Sequence, residues 1–211
     1  MDKQIEQLKQ AGIAKGLCRL WQMKLKEGMS IEDQAKLYIK GIDFCIGKDY
    51  PTLDYLREHY RGHCEPYGVY VDDEIQGLRN VPDVVLNGDC KAMLEYDEYS
   101  VSRLYIRHGS QASVNVSDHA VLTIDVFDNS YLAVAAAGGN AQVIVNKYGN
   151  AQVYCIGSGI TIRNTNKKRI SIQLKRQKRL TRLIVWGVLL NVLPITIVIY
   201  TIIKVISVYY S

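Results

Sequence analysis

The side chains in this sequence best placed to do chemistry are carboxylates. Asp118, Asp125 and Asp128 lie close together in a stretch of alternating apolar residues, and Asp89, Asp97 and Glu98 precede them. Parallel β-helices that cleave polysaccharides set such carboxylates in pairs on one outward face, where one acts as acid and the other as base. The plainer reading is that these residues keep an outer surface soluble and discourage strand edges from pairing. A second cluster, His59, His63 and Cys64, spells H-x-x-x-H-C and puts two imidazoles one helical turn apart, as zinc would require. It lacks further ligands and the glutamate of a metalloprotease motif. Ala137-Gly138-Gly139-Asn140 is glycine-rich but has no Lys and no Ser or Thr to serve as a phosphate loop. None of these sets completes a site, so the expectation is no enzyme, no cofactor and no metal.

The five cysteines, Cys18, Cys45, Cys64, Cys90 and Cys155, are odd in number and contain no C-x-x-C pair. Reduced thiols in a reducing compartment are expected.

Charge is distributed unevenly. The last acidic residue is Asp128, and nine basic residues crowd between Arg163 and Arg182. Without those nine and Lys204, the formal net charge of +5 becomes −5 for residues 1–162. Directly after the basic run, Leu183 to Ile203 is a stretch without a charge. As a helix at about 1.5 Å per residue it would span about 31 Å, the thickness of a bilayer hydrocarbon core. The sequence therefore predicts a single transmembrane helix over 183–203. Leu183 and Ile203 bound it, Trp186 and Tyr200 act as interfacial anchors, and Asn191 and Pro194 interrupt the apolar run.

Lys167, Lys168, Arg169, Lys175, Arg176, Lys178, Arg179 and Arg182 precede the span and only Lys204 comes after it, which predicts a cytoplasmic N-terminal side. The opening MDKQIEQLKQ has no apolar core of a signal peptide. The expectation is a tail-anchored, single-pass protein of the inner (cytoplasmic) membrane. Its basic collar, 175–182, would contact anionic lipids rather than nucleic acid.

Before the repeats, residues 1–64 read as a small helical domain. Apolar residues recur at helical spacing from Ile5 to Leu25, and Gly28 ends that run. Ser30 caps a second helix carrying Ala35, Leu37, Tyr38, Ile42 and Phe44, and Pro51 opens a third. Three such helices do not bury their apolar faces alone, so docking on the rest of the chain is expected. Residues 65–80 read as a connector with one strand.

From residue 81 a six-residue unit recurs, small at its second position and apolar at its fourth and sixth. NAQVIV (140–145) and NAQVYC (150–155) are its clearest copies, and ten copies run from VPDVVL (81–86) to KKRISI (167–172). The inward ladder includes Leu104, Val114, Leu122, Leu132, Val143, Val153 and Ile160. Alternation with period two marks strands buried on one face, and turn residues in register with the repeat favour a parallel β-solenoid over an antiparallel meander. Coils of about twenty residues with two sides, or about thirty with three, both fit.

Residues 81–172, with G-N-A-Q-V-x-[VC] as the clearest unit, resemble short-repeat right-handed β-solenoids of bacterial proteins. They are similar in pattern to the bactofilin class of polymerising, often membrane-associated scaffolds. The arrangement with YIKGIDFCIGKDYPTLDYLREHY in the N-terminal region also resembles uncharacterised proteins of gut Bacteroidales and their phages. The resemblance implies a fold and carries no functional residue with it. Bactofilins usually lack a span such as 183–203.

The fold class expected is thus α+β: a helical bundle (1–64), a connector (65–80), a parallel β-solenoid of about ten short strands (81–174), a basic collar, a single transmembrane helix and a short tail (204–211). The function expected is that of a membrane-tethered scaffold or self-associating module, a homo-oligomer with a protein partner of unknown identity. The alternative is an oligomerising membrane-active effector of phage lysis, superinfection exclusion or antiphage defence whose helix forms a pore; a β-helix enzyme ranks third.

Overall fold

The computed structural model describes residues 3–165. The tenth repeat copy, the basic collar and the apolar run 183–203 lie outside the described residues. Among the described residues no helix is long and apolar enough to cross a membrane.

Five short helices come first: α1 Lys3–Ala14, α2 Arg19–Gln22, α3 Ile31–Lys40, α4 Ile42–Lys48 and α5 Leu53–His59. Periodicity alone suggests three. The first run breaks because Gly16 adopts φ 89, and the second divides at Gly41, whose N–H bonds back to Leu37 as the chain turns. Ser30 caps α3 as its sequence predicts, accepting the Asp33 N–H at 3.1 Å, and Thr52 caps α5 in the same way. Ile5, Leu8, Leu17 and Leu25 of the first stripe are buried, whereas Leu20 is 72% exposed.

Eleven strands come next, β1 Val69–Val71, β2 Glu74–Arg79, β3 Asp83–Asn87, β4 Lys91–Tyr96, β5 Val101–Ile106, β6 Gln111–Val116, β7 Val121–Val126, β8 Tyr131–Ala136, β9 Gln142–Tyr148, β10 Gln152–Gly157 and β11 Ile160–Thr165. All pairings are parallel, and odd and even strands segregate into two sheets. The molecule is therefore a parallel β-solenoid with two-sided coils. Lys91 pairs with Gln111 and Gln111 with Tyr131, which sets the central coils at twenty residues. The first two strands lie in the stretch 65–80.

A left-handed corner every ten residues produces this geometry. Glu98, His108, Asp118 and Asp128 hold φ between 54° and 61°, and Gly138 and Gly149 take over at the next two corners. Asp and Gly accept that conformation at lower cost than other residues, which explains their spacing. Between corners, side chains alternate inward and outward except at an irregularity between Ile75 and Leu78 of β2, and inward residues stack on their equivalents one coil away. Leu104 faces Ile124, and Val114 faces Val134, all at 0–1% exposure. Each Leu, Ile or Val so buried contributes about 1.5–3 kcal/mol relative to exposure.

The six-residue unit stacks in its own register in most pairings, with Val84 on Leu104, Ala92 on Ala112, Leu122 on Val143 and Leu132 on Val153. It slips by two residues between β5 and β7, where Ser102, second in its copy, pairs with Leu122, fourth in the copy one coil on, and likewise between β6 and β8. A slip of two residues leaves every side chain on its own face, so the inward ladder survives the slip. The twin N-A-Q-V phrases fall on β9 and β10, in opposite sheets, half a coil apart. Their alanines are not exposed corner residues: Ala141 and Ala151 are buried on the inner side of the bends, at 1% each.

The two sheets differ on their outer faces. In the even-numbered sheet, burial alternates cleanly along β4 and β6, so the outer face is bare. In the odd-numbered sheet the alternation fails toward the C-terminal ends of β3, β5 and β7, because outward residues there are buried as well. The helices explain this. Leu56, Tyr60, Ile42 and Cys45 pack with Val69, Val85, Tyr105, Phe127 and Tyr148 into a second core against that face. The helical region thus docks along the side of the solenoid.

Candidate functional site

The carboxylates singled out from the sequence do not converge. Asp118 and Asp128 occupy opposite corners of the coil, each in the left-handed conformation. Each turns its carboxylate to the preceding coil: Asp118 Oδ2 accepts the Glu98 N–H at 3.1 Å, and Asp128 Oδ2 accepts the His108 N–H at 3.0 Å. Both tie one coil to the next. Asp125 is 3% exposed on the outer face of β7 and accepts Asn146 Nδ2 at 2.6 Å. Asp97 is bound by Arg79 and Asn80, and the Arg79 guanidinium holds its carboxyl below the usual range. Asp89 lies 3.6 Å from Arg57, whose stronger bond is to Asp72 at 2.6 Å.

The H-x-x-x-H-C cluster is dispersed too. The His59 ring lies 4.3 Å from that of Tyr55, His63 is exposed in the turn after α5, and Cys64 is fully buried. Burial pushes the Cys64 thiol up to about 12, which keeps it protonated and unreactive. Among the described residues, no group of three or more His, Cys, Asp or Glu is placed to hold a metal ion. Cys45 is likewise pushed up to about 12 by burial, and all five cysteines are free. Gly138 takes a corner with φ 87 beside the Asp118 N–H, a solenoid turn as its sequence suggests.

Of the ladder residues, Leu104, Val114, Leu122, Leu132 and Val143 are buried at 0–1%, whereas Val153 and Ile160, in the last described coil, are half-buried. The collar and span residues lie outside the described residues.

The structure brings together a set that sequence reasoning missed. Where α3 and α4 meet the corner between β5 and β6, Arg107 is 2% exposed and its guanidinium reaches three side chains. Nη1 donates to the Tyr38 hydroxyl at 2.9 Å and to Asn87 Oδ1 at 3.4 Å, and Nη2 donates to Asp49 Oδ1 at 3.2 Å. Tyr38 donates in turn to Asn87 Oδ1 at 2.9 Å, and Asn87 Nδ2 donates to the Tyr70 carbonyl at 3.3 Å. Burial pushes the Tyr38 phenol up to about 12, so it remains a donor at neutral pH. Burial opposes the Arg107 charge, but Tyr38, Asp49 and Asp128 outweigh it.

Beside it, His108 Nδ1 accepts the Gly88 N–H at 3.1 Å, which assigns the neutral ring's hydrogen to Nε2, 3.7 Å from Asp49 Oδ1. Burial and the Arg107 charge hold this imidazole below its ordinary pKa. Chemically the set is a staple. A charge-assisted network with a protonated phenol and a neutral imidazole fixes helices to solenoid. The sequence did carry one signal for it. Val85 and Tyr105 put apolar side chains at outward positions of the odd strands, where the even strands have Lys91, Gln111 and Ser113, and Phe127 adds another just after β7.

No protein-family model, no curated protein and no solved structure gives a significant match to this chain.

Proposed function

We propose that this protein is a membrane-tethered scaffold without catalytic activity. The solenoid holds a rigid surface, and residues 183–203 anchor it with the basic collar against anionic lipid. One observation supports the scaffold part above all others: the helices cover the C-terminal part of one outer face of the solenoid with a buried network, while the other face remains open across five parallel strands. Twenty-residue coils with an interlocked core resist bending, so whatever that face binds is held at a fixed spacing.

Vesicle flotation tests the whole reading. The full chain is expected to float with vesicles containing anionic lipid, and the chain ending at Lys175 to stay in the aqueous phase with a β-rich circular dichroism spectrum. Equal flotation of both, or an unfolded shortened chain, would overturn it.

A further inference from the structure

The bare face of the even-numbered sheet changes in character along the solenoid. Glu74, Arg79, Lys91 and Glu95 charge it on β2 and β4, whereas the outward positions of β6, β8 and β10 carry no charge at all. On β6 they are Gln111, Ser113 and Asn115, on β8 Tyr131, Ala133 and Ala135, and on β10 Gln152, Tyr154 and Ile156. Charge depletion with tyrosine enrichment is the compositional mark of an interface core.

The same strands also carry relief. Tyr154 and Ile156 are 59% and 54% exposed and stand as a ridge on β10. Directly beside them in register lie Ala133 and Ala135 of β8, a floor with no side chain beyond Cβ. We propose that a second copy of this chain docks here about a two-fold axis, each copy setting its Tyr154–Ile156 ridge over the Ala133–Ala135 floor of the other.

Two arguments favour a second copy over another occupant. A ridge beside a floor of the same length is complementary to itself under a two-fold rotation, which is what an isologous interface needs. And residues 1–162 carry a net charge of −5, so two copies repel except where they present an uncharged face. The contact is small. Three strands of six residues cover about 14 by 20 Å, or about 290 Å² of sheet, well below the ~800 Å² per partner of a stable complex. Such a pair forms when copies are confined together, and tethering to one membrane supplies that condition. The inference therefore rests on the anchored scaffold reading and names its self-association surface.

The test uses the full chain with Cys18→Ser and Cys155→Val, Ala133→Cys as the probe, and a bis-maleimide spanning about 10 Å, the spacing of packed sheets. Val101→Cys, exposed on the opposite sheet, is the control. In vesicles, Ala133→Cys is expected to yield covalent dimer, Val101→Cys little, and added Tyr154→Glu to lower the yield about fivefold by opposing like charges. Circular dichroism checks that Tyr154→Glu remains folded. Equal yields at both positions, or no effect of Tyr154→Glu, would overturn the proposal. Flotation of the same samples reports on anchoring separately. If the chain does not float, cross-linking at about 1 mM in solution decides, since that matches the effective concentration of a short tether.

Discussion

Arg107 on the solenoid donates to the hydroxyl of Tyr38 on α3 at 2.9 Å, across sixty-nine residues of chain, and both groups are buried. With the Tyr38–Asn87 and Arg107–Asp49 bonds it ties the helices to the solenoid, where two cores meet. On one side lies a stack of apolar residues within the coils, on the other a mixed aromatic and aliphatic layer beneath the helices.

Replacing Arg107 by Met removes the charge but keeps most of its volume. Hydrogen bonds to a buried charged group contribute about 1.5–3 kcal/mol, so Arg107→Met should lower unfolding stability by about 2 kcal/mol. Hydrogen exchange should rise in α3 and α4 and stay slow in β6 and β8. Equal loss of protection in helices and strands would argue against a local staple.

Tyr38→Phe keeps the ring and deletes only the hydroxyl, leaving Arg107 Nη1 with its longer bond to Asn87. A cost of about 1–3 kcal/mol is expected from the unsatisfied donor. Combined with Arg107→Met, the two changes should be less than additive, as residues sharing one network are. Urea unfolding of both single variants and the double variant measures the coupling.

Acid should loosen the same junction. The folded-state pKa of His108 lies below its ordinary 6.5, so the unfolded chain binds the proton more readily. The stabilisation is present above pH 6.5 and is lost as pH falls below it. Protonation also places a hydrogen on Nδ1, which then no longer accepts the Gly88 N–H. His108→Asn retains a residue tolerant of the left-handed corner. Melting temperatures measured from pH 7.5 to 5 should fall more steeply for the natural chain than for this variant.

Much of the solenoid was legible in the sequence because its information is parity. Inward residues such as Leu104 and Val143 alternate with outward ones, and a two-residue slip between copies does not alter parity. Coil size was not legible, since stacked columns with either two or three sides keep Leu122 and Val143 inward. The break at Gly41 and the exposure of Leu20 depend on how the helices dock. The Arg107 network was hidden for a related reason. Asp49, Asn87 and Arg107 look like ordinary polar residues near turns, and only the fold gathers Asp49, Asn87 and Tyr38 around the Arg107 guanidinium. Asp118 and Asp128, read most plainly as residues that keep an outer surface soluble, hold corners and accept N–H groups of the neighbouring coil, a role that only the stacking of coils reveals.

The corners can be probed one at a time. Asp128→Ala places a β-carbon residue at φ 60 without the bond to the His108 N–H. It should cost about 1–2 kcal/mol from left-handed backbone alone. Asp128→Asn, which tolerates the conformation, should cost less. Thermal unfolding of both variants checks the order, and an Ala variant as stable as Asn would contradict the assigned role.

One outer face of the solenoid is covered by helices along the C-terminal part of its strands and the other is open, and the scaffold reading depends on that difference. Hydroxyl-radical footprinting of the dilute, monomeric chain tests it without any substitution. Tyr131 and Tyr154 on the open face should oxidise several-fold faster than Tyr105, Phe127 and Tyr148 beneath the helices. Similar rates for the two sets would contradict the account.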